Sequence, residues 1–276
     1  MTFSSKGARS EARSGARNDG IAMTIVGAVV GIFVVLMTGL TVTGSTSDLP
    51  ITQFFNSWRT GFVGSLADAV YWAFEPTRAV AFVVLLMAVI YVLRASIRLA
   101  LAFGLTIAVT WLPVAGIKEL FQRPRPDRAL LTNAVDTLPA DWGFPSGHTA
   151  FITAVAVALV LVVVASASGQ KRAQKILTAR VLAAVAIVLI VACVLTEGVH
   201  YPTDALASVV WSTSVTPAVW IVVNTLLKKV GPVSLGKATH GDGKDRLGEV
   251  EHGKVGHGGA GAHARHLKVQ EQVQEK

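Results

Sequence analysis

Six long apolar runs govern what this chain can become. Residues 21–42 (IAMTIVGAVVGIFVVLMTGLTV) form the first, and others lie at about 78–93, 97–117, 147–167, 179–196 and 204–227. The hydrocarbon core of a bilayer is about 30 Å thick and takes about 20 predominantly apolar residues per helix. None of the six runs carries a charged residue in its middle, so each reads as a spanning helix. Composition agrees: 52% hydrophobic and 15% charged residues exclude an ordinary soluble domain. The first run exceeds the apolar core of a signal peptide, about 7–15 residues, and no clear A-x-A cleavage site follows it. The expected fold is therefore all-α, a bundle of six transmembrane helices.

A net charge of +8 invites a nucleic-acid partner, but in a membrane chain the placement of charge matters more than its sum. Lys and Arg near span ends favour the cytoplasmic side. Six spans put the N-terminal Lys6, Arg9, Arg13 and Arg17 on the same side as Arg94, Arg98, QKRAQK (170–175), Arg180, Lys228 and Lys229. The expectation is a multi-pass cell-membrane protein with both termini cytoplasmic and no nucleic-acid partner. One segment breaks the pattern. Lys118, Arg123, Arg125 and Arg128 fall outside, after the third span. Snorkelling accounts for one lysine but not for a cluster, whereas an anion-binding role accounts for all four.

Residues 1–20 read as a disordered cytoplasmic leader, 21–228 as the transmembrane domain and 229–276 as a disordered cytoplasmic tail. The tail segment HGGAGAHARH (257–266) has the residues of a metal-binding tract and equally the composition of a solvated low-complexity tail. Between spans one and two, DLPITQFFNSWRTGFVGSLADAVYWAF mixes aromatic and polar residues as an interfacial helix does. The tight RASIR turn (94–98) predicts an antiparallel pair of helices on either side. The single cysteine, Cys193, excludes an intrachain disulfide.

Five of the seven histidines lie in the tail; the other two, His148 and His200, stand at the outer starts of spans four and six. In GFPSGHTAF (143–151), Pro145 is poorly placed inside a helix and Ser146 is a favoured N-cap. The first-turn N–H groups of Gly147 and His148 then lack intrahelical partners and form a natural anion site. The same PSG is equally a good helix start. In GVHYPTDAL (198–206), Pro202 suits the first helical position and puts Asp204 in the first turn. There a carboxylate can fix the tautomer of His200 and leave its other nitrogen to attack or to accept a proton; alternatively, Asp204 is a plain N-terminal helix acid. In KELFQRPRPDR (118–128), arginine offers a fork and lysine a point charge to phosphate. Together the three segments predict phosphoryl transfer, which needs mainly positioning and charge stabilisation. No His/Cys/Asp cluster with metal-ligand spacing occurs outside the tail, so no metal and no cofactor are expected.

The three segments resemble the signature of the type 2 phosphatidic acid phosphatase (PAP2) superfamily, K-x6-RP, PSGH and SR-x5-H-x3-D. Lys118 with Arg125-Pro126 fits the first part, Pro145 to His148 the second, and His200 with Asp204 the end of the third. The resemblance covers roughly 20–228 and implies a metal-independent integral membrane lipid phosphatase. It also implies the roles: His200 forms a phosphohistidine, Asp204 orients it and His148 protonates the leaving alcohol. Lys118, Arg125, Ser146 and Gly147 bind the phosphoryl oxygens, and the substrate is a lipid phosphate or pyrophosphate at the extracytoplasmic face. The sequence departs from the signature at Cys193-Val194, where Ser-Arg is implied. That departure, with Glu197 nearby, motivates the alternative of a non-catalytic or weakly active lipid-phosphate binder.

Overall fold

In the computed structural model of the chain the described residues are 5–229. They form nine α-helices: α1 (Ser5–Val42), α2 (Leu49–Asn56), α3 (Gly61–Ala73), α4 (Pro76–Arg94), α5 (Ile97–Trp111), α6 (Pro113–Phe121), α7 (Gly147–Ser166), α8 (Arg172–Thr196) and α9 (Pro202–Lys229). Six segments are long and apolar enough to cross a membrane: 18–42 of α1, α4, the α5–α6 unit, α7, α8 and α9.

Local chemistry sets the boundaries. Ala95 turns left-handed (φ 47°) to end α4, and the Ser96 hydroxyl then accepts from the Leu99 N–H to start α5. That is the RASIR turn, and α4 packs back on α5. Pro113 brings no N–H and opens α6 as a separate helix, yet Leu112 keeps helical angles, so α5 and α6 act as one span. Ser146 caps α7 and Pro202 opens α9.

Helix α7 is apolar all round and sits centrally against α5, α8 and α9, while α9 also carries α1. Two side-chain hydroxyls and two indoles tie this core together. Ser208 donates to the Ser146 carbonyl at 2.9 Å and Ser212 to that of Ala150 at 2.8 Å. Trp111 donates to Gly147 and Trp211 to Thr110. Inside lipid, where apolar contact alone gives little selectivity between neighbours, such bonds and close approaches fix which helices pair.

Three expectations need comment. The leader is helical from Ser5 onward rather than disordered, and its Ala, Arg and Glu with no proline suit a helix. The connection between the first two spans holds two helices rather than one, because the chain breaks at Ser57–Thr60 and restarts at Gly61 with φ 48°. The tail of 230–276, with its histidine tract, lies outside the described residues.

Glycine makes the α1–α9 contact possible. A Cβ on Gly31 would fall on the Ser214 side chain, closer than atoms can approach, whereas one on Gly27 meets nothing within 4 Å. Overpacking of this kind costs about 1–3 kcal/mol. Gly31→Val is expected to lower the unfolding midpoint in detergent by several degrees and Gly27→Val to leave it unchanged; equal midpoints would place the helix contact elsewhere.

Candidate active site

The C-terminal ends of α1, α6 and α8 and the N-terminal ends of α7 and α9 meet at one end of the bundle. The loop 122–146 crosses that end, and α2 holds it there. Buried Asn56 is the clasp: its amide donates to the carbonyls of Asn133 and Thr196, and its oxygen accepts from the Asn133 N–H at 2.9 Å. Thr52, one turn earlier, donates to the His200 carbonyl at 3.2 Å. The 43–77 connection is therefore part of the site's support.

Beneath the loop lies a cavity of about 770 Å³. Lys118, Arg125, Gly147, His148 and His200 line its polar end, and Phe74, Trp111, Leu112 and Val114 line an apolar one. Three distant chain segments thus place five of the seven sequence-nominated residues on one surface. The other two stand behind it. Ser146 is fully buried, and its hydroxyl accepts from Thr149 N and Thr149 Oγ1. Asp204, also fully buried, supports His200.

The hydrogen bonds assign the tautomer of His200. Its Nε2 lies 3.2 Å from Arg125 Nη1. Arginine can only donate, so Nε2 accepts and the neutral ring carries its proton on Nδ1. Nδ1 faces Asp204 Oδ2 at 3.5 Å, long for a formed hydrogen bond; such catalytic contacts often tighten only when substrate binds. Burial first, then the positive charges of Arg125 and Lys118, hold His200 well below the ordinary histidine pKa. The ring therefore presents an uncharged nitrogen to the cavity at neutral pH. His148 stacks on Tyr71 with centroids 3.9 Å apart, and its Nε2 lies 3.1 Å from the Tyr71 carbonyl. A carbonyl only accepts, so this nitrogen carries a proton.

Arg123 and Arg125 have separate tasks, which their shared RPRP run conceals. Arg123 turns away from the cavity and is 1% exposed. Its Nη1 donates to Asp204 Oδ1 and Thr203 Oγ1, both at 2.6 Å, and its Nη2 to Ser45 O and Asp48 Oδ1. It also lies over the Tyr201 ring at 4.1 Å. Arg128 is exposed on a 3-10 turn (Arg128–Leu130). Val194 itself is fully buried in the apolar core, and the Cys193 thiol faces the Ala67 carbonyl at 3.4 Å.

Sequence reasoning missed Asp48, Asn56, Tyr71 and Asp141. Asp48 accepts from Thr203 through N–H and hydroxyl. Asp141 bridges Lys118 and Arg125 at 2.8 and 2.5 Å. Burial acts to raise the Asp141 carboxyl, but those two cations overcome it and hold it down at about 2. None of the four belongs to a motif, and a lone acid, amide or tyrosine outside one carries no distinguishing signal. Glu197 also lines the cavity and pairs with Arg59 at 3.5 Å, while its Oε1 has no partner. Among the described residues, no three His, Cys, Asp or Glu side chains gather as a metal site.

Residues 96–228, which hold all three motif segments, match the family model of the PAP2 superfamily. The fold is similar to the crystal structure of a transmembrane PAP2-type phosphatidylglycerolphosphate phosphatase from Bacillus subtilis, with TM-score 0.59 and 18% identity over 74% of this chain and 96% of that one. A second solved structure, Aquifex aeolicus LpxE, gives TM-score 0.46 and 19% identity over 68% of this chain and 98% of that one. No curated protein matches the chain in sequence.

Glu197 gives the site a measurable pH signature. Burial, then the nearby Asp68 carboxylate, pushes it up to about 7 against the pull of Arg59. The folded state thus keeps a proton that the unfolded carboxyl gives up near 4.5. Its contribution to stability is complete below that value and is lost as the pH rises through about 7, at up to about 1.4 kcal/mol per pH unit. Glu197→Gln is expected to remove this loss. Its unfolding midpoint relative to the native chain should climb between about pH 4.5 and pH 7.5; a constant offset would mean that the carboxyl titrates normally.

Proposed function

We propose that the chain is a membrane-embedded lipid phosphatase of PAP2 type that works through a phosphohistidine. One observation carries the reading. The uncharged Nε2 of His200 opens on a cavity that also presents Arg125 and Lys118, with the Asp204 carboxylate behind the ring. The match of residues 96–228 to the superfamily supports the same chemistry.

The substrate phosphate is held by Lys118, Arg125 and the first-turn N–H groups of α7, which Ser146 keeps in place as the cap. Its lipid portion lies along the apolar end of the cavity. His200 Nε2 displaces its contact with Arg125 and attacks phosphorus. The new P–N bond forms as the bond from phosphorus to the lipid oxygen breaks. Positive charge developing on the ring is met by Asp204 through Nδ1–H. The bound phosphate dianion offsets the charge of Lys118 and Arg125 and lets His148 take up a proton, which it passes to the leaving oxygen. Water then attacks the phosphohistidine while His148 takes back a proton. Phosphate leaves, His200 Nε2 is restored, and the proton count closes. Either a lipid phosphomonoester or a lipid diphosphate suits these steps.

Arg123 acts through Asp204 as a positioning residue. Its Nη1 holds Asp204 Oδ1 at 2.6 Å, on the carboxylate oxygen that does not face the imidazole, and is itself held by the Thr203 hydroxyl at 2.6 Å. The site faces outward in this reading, with both termini cytoplasmic, because Arg94, Arg98, Lys171, Arg172, Lys175, Lys228 and Lys229 gather at the opposite end. The alternative reading, a lipid-phosphate binder without turnover, draws on the buried Val194 where the signature has arginine.

Phosphate release from a panel of lipid phosphates and diphosphates tests the mechanism. His200→Ala is expected to abolish release from whichever lipid the native chain hydrolyses; equal rates would eliminate His200 as nucleophile, and binding with no turnover by the native chain would favour the alternative. Arg123→Met should lower kcat on the order of a hundredfold with little change in KM, and Arg123→Lys should recover part of it. Orientation has its own test, since the chain's one cysteine is buried. Thr132→Cys is expected to react with a membrane-impermeant maleimide in intact cells and Gln170→Cys only after lysis; the reverse pattern inverts the topology.

A further inference from the structure

The two cations of the cavity already hold an anion. Asp141 Oδ2 lies 2.8 Å from Lys118 Nζ, and Oδ1 lies 2.5 Å from Arg125 Nη2. Each carboxylate oxygen takes one cation, as two oxygens of a phosphoryl group would. The neighbouring backbone completes the grip. Arg125 Nε donates to the Asp141 carbonyl at 3.0 Å, and Lys118 Nζ donates to that of Trp142. The remaining arginine nitrogen, Nη1, donates to Val199 O at 2.7 Å and meets His200 Nε2. Every nitrogen of both cations is therefore engaged before a substrate arrives.

Asp141 is unlike the other acid of the site. Asp204 is sealed in the core, whereas the Asp141 side chain is 49% exposed and belongs to an irregular stretch of the loop. Its carboxylate can swing toward solvent without opening any helix contact. We propose that Asp141 is a built-in anionic competitor of the phosphoryl site and determines which anions that site accepts. This rests on reading Lys118 and Arg125 as the phosphoryl-binding cations.

Selectivity follows from the exchange. A carboxylate or a phosphodiester brings one negative charge, replaces one bridge by an equivalent bridge and gains nothing. A terminal phosphate dianion or a diphosphate brings further charge and a third oxygen, which can reach the first turn of α7. Only the second class displaces Asp141 with a net gain, so the internal acid keeps singly charged lipids off the two cations. Because the carboxyl is held down at about 2, this discrimination persists at every physiological pH.

The test is calorimetric titration of the purified full chain in detergent with inorganic phosphate and, separately, with dimethyl phosphate. Asp141→Asn and Asp141→Ala are each expected to bind phosphate about tenfold more tightly than the native chain, the scale of one partly screened charged hydrogen bond. Both should also gain measurable affinity for dimethyl phosphate, while Asp141→Glu stays close to native. Size-exclusion profiles matching the native chain certify the variants, and Asp141→Asn, nearly isosteric, carries the comparison if Asp141→Ala aggregates. Unchanged or weaker phosphate binding without the carboxylate overturns the proposal, as does no binding by any of the four proteins. Turnover reports separately on the phosphatase reading. A chain that releases no phosphate yet binds it more tightly as Asp141→Asn keeps Asp141 as competitor and loses the catalytic mechanism. A chain active through His200 whose phosphate affinity ignores Asp141 does the reverse.

Discussion

The buried ion pair between Arg123 and Asp204 is the joint on which this end of the bundle depends. Asp204 belongs to the first turn of α9, Arg123 to the loop after α6, and Asp48 and Ser45 to the connection after α1. One guanidinium therefore ties three chain segments that are far apart in sequence. Burying such charges is unfavourable unless each is paired and hydrogen-bonded, and removing one partner costs about 3–5 kcal/mol because the other is left uncompensated. The arrangement accordingly has little freedom. Asp204 accepts from Arg123 on one oxygen and from the Tyr201 N–H on the other, at 2.9 Å, and only then faces His200. Gly143 threads so close that a Cβ there would sit 3.3 Å from the same carboxylate.

Support of a second kind comes from the chain between the first two spans. Asn56 and Thr52 are both buried and spend their polar atoms on the backbone of 122–146 and of the α8–α9 connection. Loop backbone at this depth needs partners, and side-chain amides provide them where no helix or sheet ladder can. Helix ends supply Lys118 and His148, the α8–α9 connection supplies His200, and the loop 122–146 supplies both Arg125 and Asp141. The cavity is thus framed by groups of unequal burial, largely buried cations and imidazoles on one side and a half-exposed acid on the other.

Much of this was legible in the sequence, because the physics involved is local. Twenty-residue apolar runs have one stable form in lipid, and Ser146, Pro202 and the RASIR turn announce their helix boundaries through capping chemistry. Lys118, Arg125, His148, His200 and Asp204 stood out as polar groups at the edges of apolar helices. The two short helices at 49–73 were harder to resolve, since their break depends on a left-handed glycine within a continuous aromatic-rich stretch. The separate tasks of Arg123 and Arg125 were not legible at all. Two residues apart in an extended segment, they have the same chemistry and opposite directions.

By itself the sequence determined the class of fold, the number of spans and the set of charged residues gathered near one membrane surface. Tertiary structure alone decided which arginine meets His200 and which one braces Asp204. It also decided that the Ser146 hydroxyl turns inward as a cap, that Asn56 clasps the loop, and that Asp141 rests between two cations. The physical reason is range. Hydropathy and capping act within a turn or a span, so a linear reading captures them, whereas an ion pair between residues 123 and 204 exists only once α6 and α9 have been brought to the same end of the bundle.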